Sequence, residues 1–351
     1  MKKVFVRADG NEQIGMGHLM RTLTIMDQMD HSEAEITYLC ATDQGADLVS
    51  QKGYKAELLT SDYQRMEDEV SLLKPVLKKA ADLSGTEPLI LVDSYYVTDY
   101  YLQFLSGYGT VVLLDDGMQR VFPVDGVINY NAFAQEEWYS EHYPQKKRWI
   151  GPLYAPLREE FNNTPKADPS VGNEILITTG GGDQRGIGMQ ILEMLYSKEY
   201  VFHLVLGNFG KANDAFLRFA EDKPNIMIHN AVQNMAELMG RCILGITAGG
   251  STVYEMCAMG LPMIVFSYAE NQEKLAEFIG SKEAGFHAGA YHLKPEQCLN
   301  EIRKGFIKAT LEPEVRLNWR ESAMRLVDGQ GAGRLANALL NDCNSTGNVL
   351  R

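Results

Sequence analysis

Short apolar runs alternate along the whole chain with stretches whose apolar residues recur at helical spacing. Residues 4–6 form an uninterrupted apolar run that predicts a strand, and 19–29 predict an amphipathic helix. A second strand over 36–40 and a second helix over 46–52 follow. Leu89-Ile90-Leu91-Val92 and Val111-Val112-Leu113-Leu114 end in Asp93-Ser94-Tyr95 and Asp115-Asp116-Gly117. Apolar runs without alternation suit strands covered on both faces, hence a parallel sheet. The polar residues just after them then lie at the carboxyl edge, where open α/β sheets take ligands.

The rhythm pauses between 161 and 172, where two prolines and several turn formers predict a linker. It restarts with strands over 174–179, 200–206, 225–228, 244–248 and 263–266, and helices from about 188, over 235–239 and over 251–258. The reading is an α/β chain of two Rossmann-like, doubly wound domains whose strand ends face each other across a cleft. The first spans 1–160, the second 172–335, and 336–351 reads as a tail.

Composition narrows the class. A chain of 351 residues accommodates two cores, and 45% hydrophobic with 23% charged residues is ordinary for a globular enzyme. A net charge of -13 leaves little to neutralise a nucleic-acid backbone, so no nucleic-acid partner is expected. Cys40, Cys242, Cys257, Cys298 and Cys343 are scattered and odd in number, which predicts a reducing, cytoplasmic setting without disulfides or a zinc framework. The strand at the very start predicts no leader peptide. The most apolar region, 242–268, is broken by Gly249-Gly250-Ser251-Thr252 and Glu255, so neither a membrane span nor stable membrane association is expected.

Three glycine segments carry the candidate chemistry. Gly15 and Gly17, in Ile14-Gly15-Met16-Gly17-His18-Leu19-Met20-Arg21, sit between the first strand and the first helix, where free N–H groups and the helix dipole suit an anion. Met20 stands where a dinucleotide fingerprint needs its third glycine, so that reading is disfavoured. His18 places a titratable imidazole among those donors, with a surface histidine on a tight turn as the alternative. Gly180-Gly181-Gly182-Asp183 has the same strand-to-helix setting but no P-loop lysine, which argues against ATP hydrolysis. Ala248-Gly249-Gly250-Ser251-Thr252 adds hydroxyls at a third helix start. Glu255, one turn on, suits the two hydroxyls of a ribose, or else a capping box with Ser251 or Thr252. Asn271 and Gln272 follow the next strand as candidate sugar or diphosphate ligands, with a helix cap as the alternative. Asp9, Asp93, Tyr95 and Asp115 are candidates to orient the imidazole or bind sugar hydroxyls, or else turn and cap residues. Asp115 and Asp116 point to opposite sides of one strand end and lack companion ligands, so no metal is expected.

As an ordered set, these segments resemble the UDP-sugar hydrolases of pseudaminic acid biosynthesis. The resemblance is carried by Arg7-Ala8-Asp9, the 14–21 segment, Val92-Asp93-Ser94-Tyr95, Leu114-Asp115-Asp116-Gly117 and Ile128-Asn129-Tyr130-Asn131. Tyr154-Ala155-Pro156-Leu157-Arg158-Glu159-Glu160-Phe161 and Thr179-Gly180-Gly181-Gly182-Asp183 continue it, and 248–272 also resembles the bacterial transferase that adds N-acetylglucosamine to lipid-linked muropeptide. The resemblance implies a GT-B fold with the nucleotide mainly on the second domain, and cleavage of UDP-2,4-diacetamido-2,4,6-trideoxy-β-L-altropyranose to UDP and free sugar. It further implies His18 as the base that activates water, Tyr95 near the sugar, Arg21 within the motif, and Glu255 on the ribose. Met118-Gln119-Arg120 and Thr178-Thr179 depart from the family pattern.

The chemistry is consistent with that implication. A diphosphate leaving group needs its charge neutralised, and helix starts at Gly182 and Ser251 would supply this without metal or cofactor. Imidazole suits proton transfer near neutrality, and the positive end of the first helix favours its uncharged form. The expected reaction is single-displacement attack by water at the anomeric carbon, with inversion. The alternatives are an inverting transferase of the same fold using a UDP-amino sugar, a non-catalytic sugar-nucleotide binding module, and an epimerase with hydrolytic activity.

Overall fold

A computed structural model describes residues 1–83, 86–180, 183, 185–207, 211–230 and 232–341. They form two units: 1–156 together with the chain from Gln330, and Leu157–Gly329.

The first unit is built on seven parallel strands: β1 (Lys2–Ala8), β2 (Ala34–Cys40), β3 (Lys55–Leu58), β4 (Leu89–Asp93), β5 (Thr110–Leu114), β6 (Gly126–Asn129) and β7 (Lys147–Ile150), in the order β3-β2-β1-β4-β5-β6-β7. Both faces of the sheet are covered, which explains the unbroken apolar runs. Val4, Val6, Leu89, Leu91 and Val112 pack with Leu19, Leu23 and Met26 of the helix Gly17–Asp27 on one side. Phe5, Ile90, Val92, Val111 and Leu113 pack with Leu73, Leu77, Tyr101 and Leu105 on the other. Strand order reverses direction at the β1/β4 pair, so the loops after these strands diverge and open a crevice at their carboxyl ends.

Two expectations about chain organisation change. The supposed tail begins inside a helix, Gly331–Asn341, whose Leu335, Ala336 and Leu339 are fully buried in the first unit's core. Lys2 ties β1 to it by donating to the Leu339 carbonyl at 3.2 Å. The 161–172 stretch is integrated in the second unit: Phe161 and Ala167 are fully buried, Ala167 N–H donates to the Met259 carbonyl at 2.9 Å, and Arg316 Nε donates to the Pro169 carbonyl at 2.8 Å. Proline and asparagine there mark irregular backbone, not missing contacts, and the unit boundary falls earlier, at Pro156/Leu157.

The second unit has six parallel strands: β8 (Glu174–Thr178), β9 (Val201–Val205), β10 (Ile226–His229), β11 (Cys242–Ala248), β12 (Met263–Ser267) and β13 (Phe286–Ala290). Their order, β10-β9-β8-β11-β12-β13, repeats the reversal, now at β8/β11. The loops after β8 and β11 carry the second and third glycine segments. Both units thus set a glycine loop at the position where a doubly wound sheet binds its ligand.

Candidate active site

The loop after β1 begins with Asn11, whose side chain accepts from the N–H groups of Gln13 and Ile14 at 2.8 and 3.0 Å, and turns at Gly15 with φ 73°. That angle favours a residue without Cβ. The helix Gly17–Asp27 follows with no side-chain cap at its start, leaving its first N–H groups to water or a ligand.

Within the first five residues of this helix, His18 and Arg21 converge on Asp93 at the end of β4. His18 Nδ1 lies 2.6 Å from Asp93 Oδ1, and Arg21 grips the same carboxylate through Nε at 2.6 Å and Nη2 at 2.5 Å. Arg21 Nη1 reaches Asp116 at 2.9 Å and donates to the Tyr130 hydroxyl at 2.9 Å. Burial works against charge on Asp93, but the Arg21 guanidinium and the hydrogen bonds from Arg21 and His18 hold its carboxyl below the usual carboxylate range. Arg21 Nη2 is also 3.2 Å from His18 Nδ1. A guanidinium nitrogen only donates, so in the uncharged imidazole the shorter contact to the carboxylate places the hydrogen on Nδ1 and leaves the lone pair on Nε2. Among the described residues Nε2 has no hydrogen-bond partner. Tyr95, mostly exposed, sets its ring edge-on to the imidazole at 4.6 Å and donates from its hydroxyl to Asp116 at 3.2 Å. Burial, and Asp116 beside it, push the Tyr95 hydroxyl up to about 12, so it stays a donor at neutral pH.

Two acidic candidates face away from this group. Asp9 is buried, accepts from Arg7 and from Ala41 N–H at 2.8 Å, and belongs to an interior network in which Glu69 binds Arg7 at 2.8 and 2.6 Å. With both oxygens committed to the fold, Asp9 locks the ends of β1 and β2. Asp115 likewise turns inward, accepting from the Tyr139 hydroxyl and from Gly117 N–H at 2.9 Å. Its neighbour Asp116 takes the outward side, as alternation along a strand end demands. Asp116 and Tyr130 fix Arg21; the paired aspartates at the strand end are the sequence signal for Asp116, whereas Tyr130 shows none beyond its place in the 128–131 segment.

In the second unit, Gly181 and Gly182 lie outside the described residues. Asp183 is buried and accepts from Met189 N–H at 3.2 Å, in the first turn of the helix Ile187–Leu195. A carboxylate thus already accepts at that helix start. The helix start after β11 is built differently. Gly249 packs so closely that a Cβ would stand 2.6 Å from the Gln272 carbonyl oxygen, whereas a Cβ on Gly250 would meet nothing within 4 Å. Ser251 leads into the helix Thr252–Met259 with no side-chain cap, which sets aside the capping-box alternative. Glu255 instead faces Arg158, 3.7 Å from Nη2, with Glu160 on that guanidinium at 2.7 Å. Burial pushes the Glu255 carboxyl up to about 7, with Arg158 lowering and Glu160 raising it. Arg158 and Glu160 sit inside a recognised segment, yet nothing in their spacing linked them to Glu255. Gln272 turns back to accept from Tyr268 N–H at 3.0 Å, and Asn271 is exposed beside it.

Residues 175–323 match the glycosyltransferase family 28 C-terminal domain. The chain is 25% identical over 283 residues to a UDP-2,4-diacetamido-2,4,6-trideoxy-beta-L-altropyranose hydrolase of Campylobacter jejuni, covering 80% of this chain and 97% of that protein. It is 25% identical over 288 residues to an uncharacterised protein of Methanocaldococcus jannaschii, covering 78% of this chain and 57% of that one. The spore coat polysaccharide biosynthesis protein SpsG of Bacillus subtilis is 27% identical over 197 residues, 55% of this chain and 56% of its own. The chain therefore spans little more than half the length of the last two. Among solved structures, the glycotransferase of kitacinnamycin superposes with TM-score 0.67 at 15% identity over 98% of this chain and 100% of its own. The Acinetobacter baumannii MurG gives TM-score 0.65 at 13% identity over 97% and 99%. The chain thus has the GT-B fold, is similar over 175–323 to the glycosyltransferase family 28 C-terminal domain, and is similar over most of its length to the UDP-sugar hydrolase of Campylobacter jejuni.

Proposed function

We propose that this chain hydrolyses a UDP-linked diacetamido-trideoxy hexose at the anomeric C–O bond, releasing UDP and the free sugar in the cytoplasm for surface-polysaccharide assembly. A role in sugar-nucleotide processing is supported by the relatives and the fold. The finer reading rests above all on one observation: His18 is oriented by the buried Asp93 while, among the described residues, its Nε2 has no partner.

In this reading, Nε2 takes a proton from water as the water oxygen bonds to the anomeric carbon and the bond to the UDP oxygen breaks. The imidazolium that forms is stabilised by Asp93, and Arg21 keeps Asp93 from rotating away. Gly15, Gly17, Arg21, Asp93 and Tyr95 line the sugar side, with Tyr95 offering an aromatic edge and a hydroxyl. The uncapped start of Thr252–Met259, with Gly250, Ser251 and Thr252, neutralises charge developing on the diphosphate. Gly181, Gly182 and Asp183 are assigned to its surroundings. Glu255 receives the ribose hydroxyls, and Asn271 and Gln272 flank the nucleotide. One displacement inverts the anomeric centre, and no metal is invoked for the reaction.

The match to a glycosyltransferase domain favours one second reading, in which Nε2 deprotonates an acceptor hydroxyl instead of water. Incubation of the UDP-sugar without acceptor in H₂¹⁸O separates them. Hydrolysis yields UDP and free sugar one to one, with label on C1 of the sugar and the inverted anomer appearing first by proton NMR. Silence without acceptor supports a transferase, and tight binding without turnover a binding module; either outcome overturns the hydrolase assignment.

A further inference from the structure

The second sheet carries a group of metal-type ligands that the sugar-nucleotide reading does not use. Glu174 opens β8 and Cys242 opens β11, and the two are direct cross-strand partners. On the other side of β8, Leu176 pairs with His203 of β9, which in turn pairs with Met227 of β10. Side chains alternate along a strand and cross-strand partners share a face. Glu174, His203, Cys242 and His229 therefore project from one face of four adjacent strands. The register irregularity between Cys242 and Leu244 marks a local bulge at the start of β11, the kind of feature that re-aims a side chain.

One ligand atom from each of Glu174, His203 and Cys242 lies within 4.8 Å of the others. His203 Nε2 is 2.7 Å from Glu174 Oε2, and its Nδ1 is 3.1 Å from His229 Nε2. The Cys242 thiol donates to the Leu238 carbonyl at 3.2 Å. Cys242 and His203 are buried while Glu174 is partly exposed, which gives an ion a route in from solvent. Carboxylate, imidazole and thiol together suit a borderline-soft cation that accepts tetrahedral coordination, above all Zn²⁺, and do not suit Mg²⁺ or Ca²⁺. Histidines that bind metal through one nitrogen hold the other in a hydrogen bond, the relation His203 has with His229.

We infer that Glu174, His203 and Cys242 form a binding site for a zinc-type divalent cation, with His229 orienting His203 and a water completing the fourth position. On binding, the Cys242 S–H bond and the Glu174–His203 hydrogen bond are exchanged for bonds to the ion; the thiol proton leaves to solvent, and His203 and His229 change tautomer so that His203 Nδ1 carries the hydrogen and donates to His229 Nε2. None of these residues belongs to the candidate active site, so the inference is independent of the hydrolase reading. The sequence hid the group because its ligands come from separate strands and show no C-x-x-C or H-x-x-x-H spacing.

Co²⁺ titration of the full-length, chelator-treated protein provides the test. One equivalent should produce an intense near-ultraviolet thiolate-to-cobalt charge-transfer band with visible bands of tetrahedral strength, and Zn²⁺ should bleach both. Cys242→Ser should abolish the charge-transfer band, and His229→Ala should weaken the ion's affinity about 10–100-fold. Because Cys242 is a core residue, Glu174→Gln serves as a surface-accessible second variant: Zn²⁺ should raise the Tm of the parent protein and not that of E174Q. A missing charge-transfer band, a band that survives C242S, or a Zn²⁺ shift that survives E174Q would overturn the site.

Discussion

His18 Nδ1 and Asp93 Oδ1 are 2.6 Å apart, on a helix start and a strand end that meet at the β1/β4 reversal. The pair makes separable demands on its two members. His18→Asn keeps a hydrogen bond to Asp93 but has no base, and should lower kcat for UDP release about 10²–10⁴-fold with the nucleotide's Kd unchanged. Asp93→Asn presents an amide that donates to Nδ1 and drives the hydrogen onto Nε2, so kcat should fall with little change in KM. Steady-state UDP release for both variants checks this; full turnover by either removes the imidazole from the mechanism.

Arg21 is the structural keystone of that pair. Its guanidinium serves Asp93 through two nitrogens and Asp116 and Tyr130 through the third. Arg21→Gln leaves Asp93 buried without its main counter-charge, which should cost about 3–5 kcal/mol of the first unit's stability. Arg21→Lys retains charge but not the planar fork, and should lose less stability yet still misorient His18. Urea unfolding alongside kcat measurements distinguishes the two effects. Equal stability in Arg21→Gln and the parent protein would contradict the assignment.

Much of this arrangement is legible in the sequence, for identifiable reasons. Unbroken runs such as Leu89–Asp93 and Thr110–Leu114 announce buried parallel strands because both of their faces meet apolar layers. The strand Lys55–Leu58 escapes notice because it lies at the sheet edge, with exposed or half-buried residues and no such run. His18, Arg21 and Asp93 were all legible because each flanks a strand end or a glycine turn. Asp9 and Asp115 face inward although they share the strand-end position of Asp93, and that position alone leaves a ligand and a cap residue equally open; only the partners, Arg7 and Tyr139, separate the roles. The Glu255 environment was illegible since Arg158 and Glu160 arrive from a segment almost a hundred positions earlier.

The Glu255 carboxyl, raised by burial to about 7 from an ordinary 4.5, makes the second unit sensitive to pH. Its proton is held more tightly in the folded state, so its favourable contribution is fully present below about 4.5. It is lost as pH rises from there through about 7. Glu255→Gln does not titrate, so the variant should gain about 2–3 kcal/mol on the parent protein between pH 4 and pH 8. Binding should run the other way: if the carboxylate receives the ribose hydroxyls, affinity for uncharged uridine rises through pH 7 and that rise disappears in Glu255→Gln. Denaturant melts and uridine titrations at matched pH values supply both curves, and a flat difference between the two proteins rules out the buried carboxylate.

The helix Gly331–Asn341 gives the most direct test of how the chain is partitioned. Leu339 is fully buried against the first unit's core although it follows the whole second unit in sequence. Leu339→Ala removes methyl groups from a packed interior and should cost about 2–5 kcal/mol. The loss should fall on the first unit's unfolding transition, because the cluster around Leu339 contains Val4, Leu23 and Leu89 and no residue of Leu157–Gly329. Hydrogen exchange monitored by mass spectrometry assigns it: peptides from β1 and from the helix Gly17–Asp27 should lose protection, while those from β8 and β11 keep theirs. A loss of protection confined to the C-terminal peptides would mean that the helix is a dispensable appendage. The expected pattern would instead make it an element of the fold that holds His18, since that residue's helix packs directly on this core.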